Sequence, residues 1–173
     1  VKQQYAMKRE LVRFMPLYGK VAGRFAHDIL NSEFHRSMEI AVSSDEYARS
    51  GYQGAMVAGA ELLYGICRAI RPSRIIETGV GPGVSTAYML KALQDNDLGR
   101  LYSIDLPSRE QELWKSSPEY RSRLSPAQKA LEEGVNMRPI GWLIPESVRH
   151  RWALRVGLSQ EVLPRLLADL GQV

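Results

Sequence analysis

The chain has 173 residues, 45% of them hydrophobic and 24% charged, with 23 Lys and Arg against 19 Asp and Glu for a formal net charge of +4. This composition excludes a disordered or fibrous chain and fits one globular domain with a buried core. A single cysteine rules out an internal disulfide framework, and the longest apolar-leaning run, 54–70, is broken by Glu61 and Arg68, so nothing reads as a membrane span. The charged N-terminus has no signal-peptide core. With Cys67 reading as a core thiol, the expected setting is reducing and cytoplasmic.

The pattern is helical first and alternating afterwards. Met7, Leu11, Phe14, Met15 and Tyr18 follow helical spacing over 5–18, with Pro16 as a kink or stop. Further helices are predicted over 21–30 and 34–42, followed by a polar break and new helix start at Ser43-Ser44-Asp45-Glu46. The clearest helix runs from Gln53 to Ile70, with Gly59, Leu62, Leu63, Ile66, Ala69 and Ile70 on one stripe. Arg71-Pro72 ends it and leads into a short apolar strand at Arg74–Thr78.

That strand feeds the most informative segment, Glu77-Thr78-Gly79-Val80-Gly81-Pro82-Gly83-Val84-Ser85-Thr86. An acidic strand end, glycines at alternate positions and a helix start make a tight turn that a ligand can approach closely. The helix behind it, predicted to run to about Gln94, directs free N–H groups toward the same place. A dinucleotide fingerprint would need glycine at position 84, where Val84 stands, and a phosphate-binding P-loop would need a lysine the turn lacks. After a turn at 95–99 comes a second buried strand, Gly99 to Leu106, ending in Asp105. A carboxylate there either caps its own loop or accepts the hydroxyls of a ribose.

Acid-x-G-x-G-x-G followed by a second acidic strand end resembles the class I S-adenosylmethionine-dependent methyltransferases, within a poorly characterised group near the small-molecule O-methyltransferases. Tyr102-Ser103-Ile104-Asp105-Leu106-Pro107, Arg151-Trp152 ahead of Gly157, and Leu163-Pro164 carry the narrower likeness, which covers about 50–173. The resemblance implies a Rossmann-like, doubly wound parallel α/β sheet behind a helical N-terminal extension at 1–50. It implies S-adenosylmethionine as cofactor, held by Glu77, Thr78, Gly79, Gly81, Gly83, Ser85, Asp105 and Leu106, with Gly157, Leu158 and Ser159 along the adenine.

The cofactor domain, 51–173, carries a polar helical insertion at about 107–142 with a capping-box start at Ser125-Pro126-Ala127-Gln128. It is either a lid over the ligand or a decoration on the side. A third strand at Arg151–Val156 leads to a helix that Ser159 can cap and Gly171 stops, although Pro164 is tolerable only in a first turn, which favours a later start. The family's domain has further strands, and the chain stops at Gly171-Gln172-Val173, where a fourth would begin. The expectation is therefore a truncated, inactive portion with Arg74–Thr78 as an exposed edge inviting self-association.

His27, His35, His150 and Cys67 show no metal-ligand spacing, and no general base can be named. Charge is mixed, with Arg149-His150-Arg151 the densest basic knot. It either favours an anionic substrate such as RNA or belongs to a solvated surface, the reading preferred because no basic run is long enough for a nucleic-acid arm. The resemblance implies a small-molecule acceptor. Two readings remain: the methyltransferase, or its cofactor-binding half, that the resemblance implies, and a non-catalytic module that binds S-adenosylmethionine or another nucleoside and acts through partners. A NAD-dependent oxidoreductase stands behind both because of Val84.

Overall fold

The computed structural model describes residues 18–45, 48, 59–106, 118, 122, 126 and 138–171. The predicted helix at 5–18 lies outside these residues but for Tyr18, as does the capping box at 125–128 but for Pro126.

Helix α1 (Gly19–Leu30) buries Ala22, Ala26 and Ile29, one stripe at helical spacing. Helix α2 (Glu33–Ser44) begins at the N-cap Ser32, whose hydroxyl accepts from His35 N–H at 3.1 Å. The cap between them separates His27, which is exposed, from His35, which is buried and shares a 2.6 Å hydrogen bond between Nδ1 and the Tyr88 hydroxyl. Burial pushes that phenol upward from its ordinary pKa, and the charges of Glu61 and Glu39 push it further. The polar break expected from Ser43 comes later: α2 continues through Ser43 and Ser44 and is capped by Asp45, whose Oδ1 accepts from Ala48 N–H at 2.9 Å. Glu46, the expected new helix start, lies outside the described residues.

Helix α3 (Ala60–Ile70) departs from the predicted stripe. Gly59 is its N-cap at φ +99°, outside the helix, and the buried face is Ala60, Glu61, Leu62, Tyr64, Gly65 and Cys67. Leu63 and Ile70 remain exposed. The reason is Gly65, which lets α1 approach so closely that a Cβ there would sit 2.2 Å from the Ala22 carbonyl oxygen. Contact through small residues turns Leu63 outward. Cys67 is buried as expected, and desolvation raises its thiol to about 11.

Strands β1 (Arg74–Thr78), β2 (Arg100–Asp105) and β3 (Trp152–Val156) form a parallel sheet in that order, with Glu77 beside Ser103 and Ser103 beside Leu154. Among the described residues β1 stands at the edge. Helix α4 (Val84–Asp95) crosses from β1 to β2 and is the centre of the core. Its Val84, Ala87, Tyr88, Leu90, Ala92 and Leu93 pack with α3, Leu101 and Val148, and with Ile75, Trp152 and Leu154 of the strands. A 3-10 helix (Glu146–Arg151) precedes β3.

Helix α5 (Ser159–Leu170) contacts β2 and buries Leu166. On β2, Ile104 points away from the face that carries Leu101 and Ser103. Helices therefore cover both faces of a parallel sheet, the doubly wound α/β arrangement. α5 corrects two expectations. Its N-cap is Leu158 rather than Ser159, and Pro164 lies inside it. The helix starts at Ser159 because Glu161 and Val162 N–H both donate to Leu158 O at 2.9 Å. Pro164 deprives the Gln160 carbonyl of an intrahelical donor, and both residues lie on the exposed side, where water replaces it.

Because the α1–α3 contact is made through backbone, Gly65→Ala should force the two helices apart and lower stability by about 1–3 kcal/mol. Urea denaturation of the two proteins measures it, and an unchanged midpoint would mean that the helices are free to separate.

Candidate functional site

Three glycines at the tip of β1 have three different surroundings. Gly79 and Gly81 have φ of +80° and +53°, which non-glycine residues adopt only with strain, and a Cβ on either would meet nothing within 4 Å. Their backbone faces open space. Gly83, at φ +92°, is buried, and a Cβ there would lie 2.5 Å from the Ile144 side chain and 3.0 Å from Gly141 Cα. It serves close packing rather than ligand approach.

Asp105 closes the turn from the β2 side. Its Oδ2 accepts from Val80 N–H and Gly81 N–H, both at 2.9 Å, and its Oδ1 from Leu106 N–H at 2.7 Å. Backbone bonds tie the strand tips as well: Gly79 N–H to Ile104 O and Gly157 N–H to Asp105 O, each 2.8 Å. The result is an open cleft of about 240 Å³ at the C-terminal ends of the strands, lined by Thr78, Gly79, Ile104, Asp105, Leu106, Gly157 and Ser159. This is where ligands bind in open parallel sheets. Its volume falls below the ~300–1,000 Å³ that encloses a drug-sized ligand.

The cleft thus gathers Thr78, Gly79, Asp105, Leu106, Gly157 and Ser159 from the predicted set. Gly81 touches it through Asp105, Gly83 sits behind it, and Leu158 caps α5. Glu77 and Ser85 turn away and bond to each other. Glu77 is acceptor to the hydroxyls of Ser85 at 3.0 Å, Thr86 at 2.9 and 3.0 Å, and Ser103 at 2.7 Å. Ser103 in turn accepts from Trp152 Nε1 at 2.9 Å, so the network joins all three described strands to α4. Hydroxyls satisfy this carboxylate; among the described residues no Lys or Arg pairs with it.

Burial raises the Glu77 carboxyl above its ordinary value of 4.5. Its three hydroxyl donors pull it partly back, and the charge of Asp105 adds to the rise.

Two parts of the site were not foreseen. Ile104 lines the cleft, although strand alternation alone would place it only as a core residue. The apolar run Ile140-Gly141-Trp142-Leu143-Ile144 packs against the outside of the glycine turn. A glycine inside an apolar run is the signal that marks such an approach. Among the described residues no cluster of three or more His, Cys, Asp or Glu could hold a metal ion, and no helix is long and apolar enough to cross a membrane.

A glycine turn and an acidic strand end meet at the C-terminal edge of a parallel sheet in an α/β domain. Residues 76–173, more than half of the chain, match the family model of a methyltransferase domain. The chain belongs to this class I S-adenosylmethionine-dependent methyltransferase family, and the fold is its Rossmann-like one. No curated protein matches the chain.

A raised carboxyl pKa has a definite consequence for stability. The folded chain holds its Glu77 proton to higher pH than the unfolded chain does. Stability contributed by the neutral acid is therefore full below 4.5 and is lost as pH rises through the raised folded value. Glu77→Gln should remove that loss and flatten the stability–pH curve across the window above 4.5. Denaturation midpoints between pH about 4 and 8 test this; parallel curves for the two proteins would show that Glu77 ionises in the fold as freely as in water.

Proposed function

We propose that the cleft binds S-adenosylmethionine and that the chain takes part in transferring its methyl group to a small-molecule acceptor. The observation that carries this reading is the position of the Asp105 carboxylate on the Val80 and Gly81 amides. In a dinucleotide or P-loop site such amides receive a phosphate. Here a fixed negative charge already holds them. A pyrophosphate brought to the same amides would meet a like charge at a cost of about 4 kcal/mol at 4 Å and an effective dielectric near 20.

A nucleoside without phosphate meets no such penalty. Its ribose hydroxyls can donate to the remaining lone pairs of Asp105, and a sulfonium cation is favoured by the same charge. Bare backbone at Gly79 and Gly81 leaves room for the ligand to lie against the turn.

When bound, S-adenosylmethionine supplies a methyl already activated on a sulfonium sulfur, so the protein's task is alignment. In this reading Asp105 orients the ribose, Thr78 and Gly79 border the far end of the ligand, and Leu106, Gly157 and Ser159 flank the base. Glu77 and Ser85 hold the shape of the turn from behind rather than touching the cofactor. A small acceptor is favoured over nucleic acid because the densest basic knot is neutralised locally: Arg149 pairs with Glu146 at 3.4 Å and Arg151 with Asp97 at 2.5 Å.

Calorimetric titration with S-adenosylmethionine, S-adenosylhomocysteine and NAD tests the reading directly. The first two should bind and NAD should not; equal or tighter NAD binding would overturn it. Asp105→Ala should cost about 1.5–3 kcal/mol from lost charge-assisted bonds, or roughly 10- to 150-fold in affinity. Gly81→Val should weaken binding further, because it strains the turn and fills the space above it. Wild-type affinity in both folded variants would place the ligand elsewhere.

A further inference from the structure

The glycine turn is backed from outside by a short strap of chain. Gly141 N–H donates to Gly81 O at 2.9 Å and Leu143 N–H to Pro82 O at 3.0 Å, so outward carbonyls of the turn are taken up by two backbone bonds. The fit is backbone against backbone. Gly83 approaches Gly141 Cα as described, and a Cβ on Gly141 would lie 2.6 Å from Ile144 and 2.8 Å from Trp152. On its inner side Arg149 holds the strap, donating to Gly141 O at 2.9 Å and to Ile144 O at 3.1 Å. With both rungs formed and no room between the two glycines, the turn cannot shift unless the strap shifts with it.

The strap's outer side is held by one residue of the N-terminal layer. Asp45, at the end of α2, accepts at Oδ2 from Trp142 Nε1 at 3.1 Å and from the Arg138 guanidinium. Arg138 also lies over the Trp142 ring, 5.3 Å from its centroid. The Asp45 side chain is 11% exposed and that of Arg138 37%, so the carboxylate end of the pair is withdrawn from water while the guanidinium is partly solvated. Its Oδ1 remains on Ala48 N–H.

We propose that Asp45 is a positioning residue for the glycine turn: by clamping Arg138 and Trp142 it presses the strap onto Gly81–Gly83 and so sets the affinity of the cleft for its nucleoside ligand. The proposal rests on the cofactor reading above and adds a route by which the N-terminal helices act on a site they do not line.

The test compares wild type, Asp45→Ala, Trp142→Phe and the control Ser43→Ala, which removes a hydroxyl bonded to Glu39 O on the exposed side of the same helix. Hydrogen exchange of the ligand-free proteins, read amide by amide by NMR, is combined with calorimetric titration of S-adenosylhomocysteine. In Asp45→Ala the Gly141 and Leu143 amides should exchange about 10-fold faster and the dissociation constant should rise about 5- to 20-fold. Trp142→Phe, which removes the indole N–H together with part of the ring but keeps an aromatic face for Arg138, should show the same changes at smaller size and carries the test if Asp45→Ala does not fold. Amides of β2 and the control should behave as wild type.

Unchanged exchange at Gly141 and Leu143, or unchanged affinity in folded variants of lower thermal stability, would reduce Asp45 to a stabilising residue and overturn the proposal. A wild type that binds no S-adenosylhomocysteine would sink the cofactor reading and the proposal together. A wild type that binds, with variants binding equally well, would sink the proposal alone.

Discussion

The architecture around the cleft depends on a half-buried carboxylate, that of Glu77, which has hydroxyls for partners instead of a cation. Glu77 lies one residue before the end of β1, beneath the glycine turn, where an unpartnered charge would cost several kcal/mol. Thr86 and Ser103, both fully buried, and Ser85 answer it with three donors, and the Trp152 indole completes the bonding of Ser103. Each member sits on a different element or at a different place along it, so the bonds are satisfied only when β1, β2, β3 and α4 stand in one relative position. A network of this kind specifies geometry more than it adds stability. The raised pKa of Glu77 is the sign that desolvation exceeds what the hydroxyls return.

That geometry allows a second carboxylate to do different work a short distance away. Asp105 is half-buried at the tip of β2, and its partners are backbone amides of the turn. The contrast follows from strand alternation and depth. Glu77 points into the packed layer under α4, whereas Asp105 lies at the open end of the sheet with lone pairs left for a ligand. Two acids on neighbouring strands thereby divide into one that holds the turn and one that faces the cleft.

The N-terminal helices belong to the same structure through polar contacts that cross the core boundary. Arg68 of α3 lies over the Phe25 ring of α1 at 4.5 Å, and its guanidinium donates to Asn96 Oδ1 and the Tyr64 hydroxyl, each at 2.9 Å. Tyr64 donates to Asp95 at 2.9 Å, and burial with this acid raises the phenol to about 12. His35 reaches Tyr88 from α2. The end of α4 and its middle are thus tied to separate helices of the N-terminal layer, and Asp45 adds the tie to the strap. A layer joined this way moves with the sheet rather than over it.

The local chemistry of the chain was legible in its order of residues. Alternating glycines after an acidic strand end require a tight turn, Pro72 and the glycine at 171 punctuate their elements, and an apolar run ending in Asp105 reads as a buried parallel strand. These are properties of a few neighbouring residues, so the sequence by itself determined the α/β class, the place of the turn and the acid opposite it. Tertiary structure decided what spacing cannot express. Which stripe of α3 faces inward depended on how closely Gly65 admits α1, and the start of α5 depended on amides converging on Leu158 O despite Pro164. Likewise, Glu77 and Ser85 became partners of each other, and Gly83 became a packing contact for a strap nearly sixty residues further along the chain. Each of these outcomes is set by which surfaces meet across the fold, and the identity of the neighbour, absent from the local sequence, selects among roles that the residue's own chemistry leaves open.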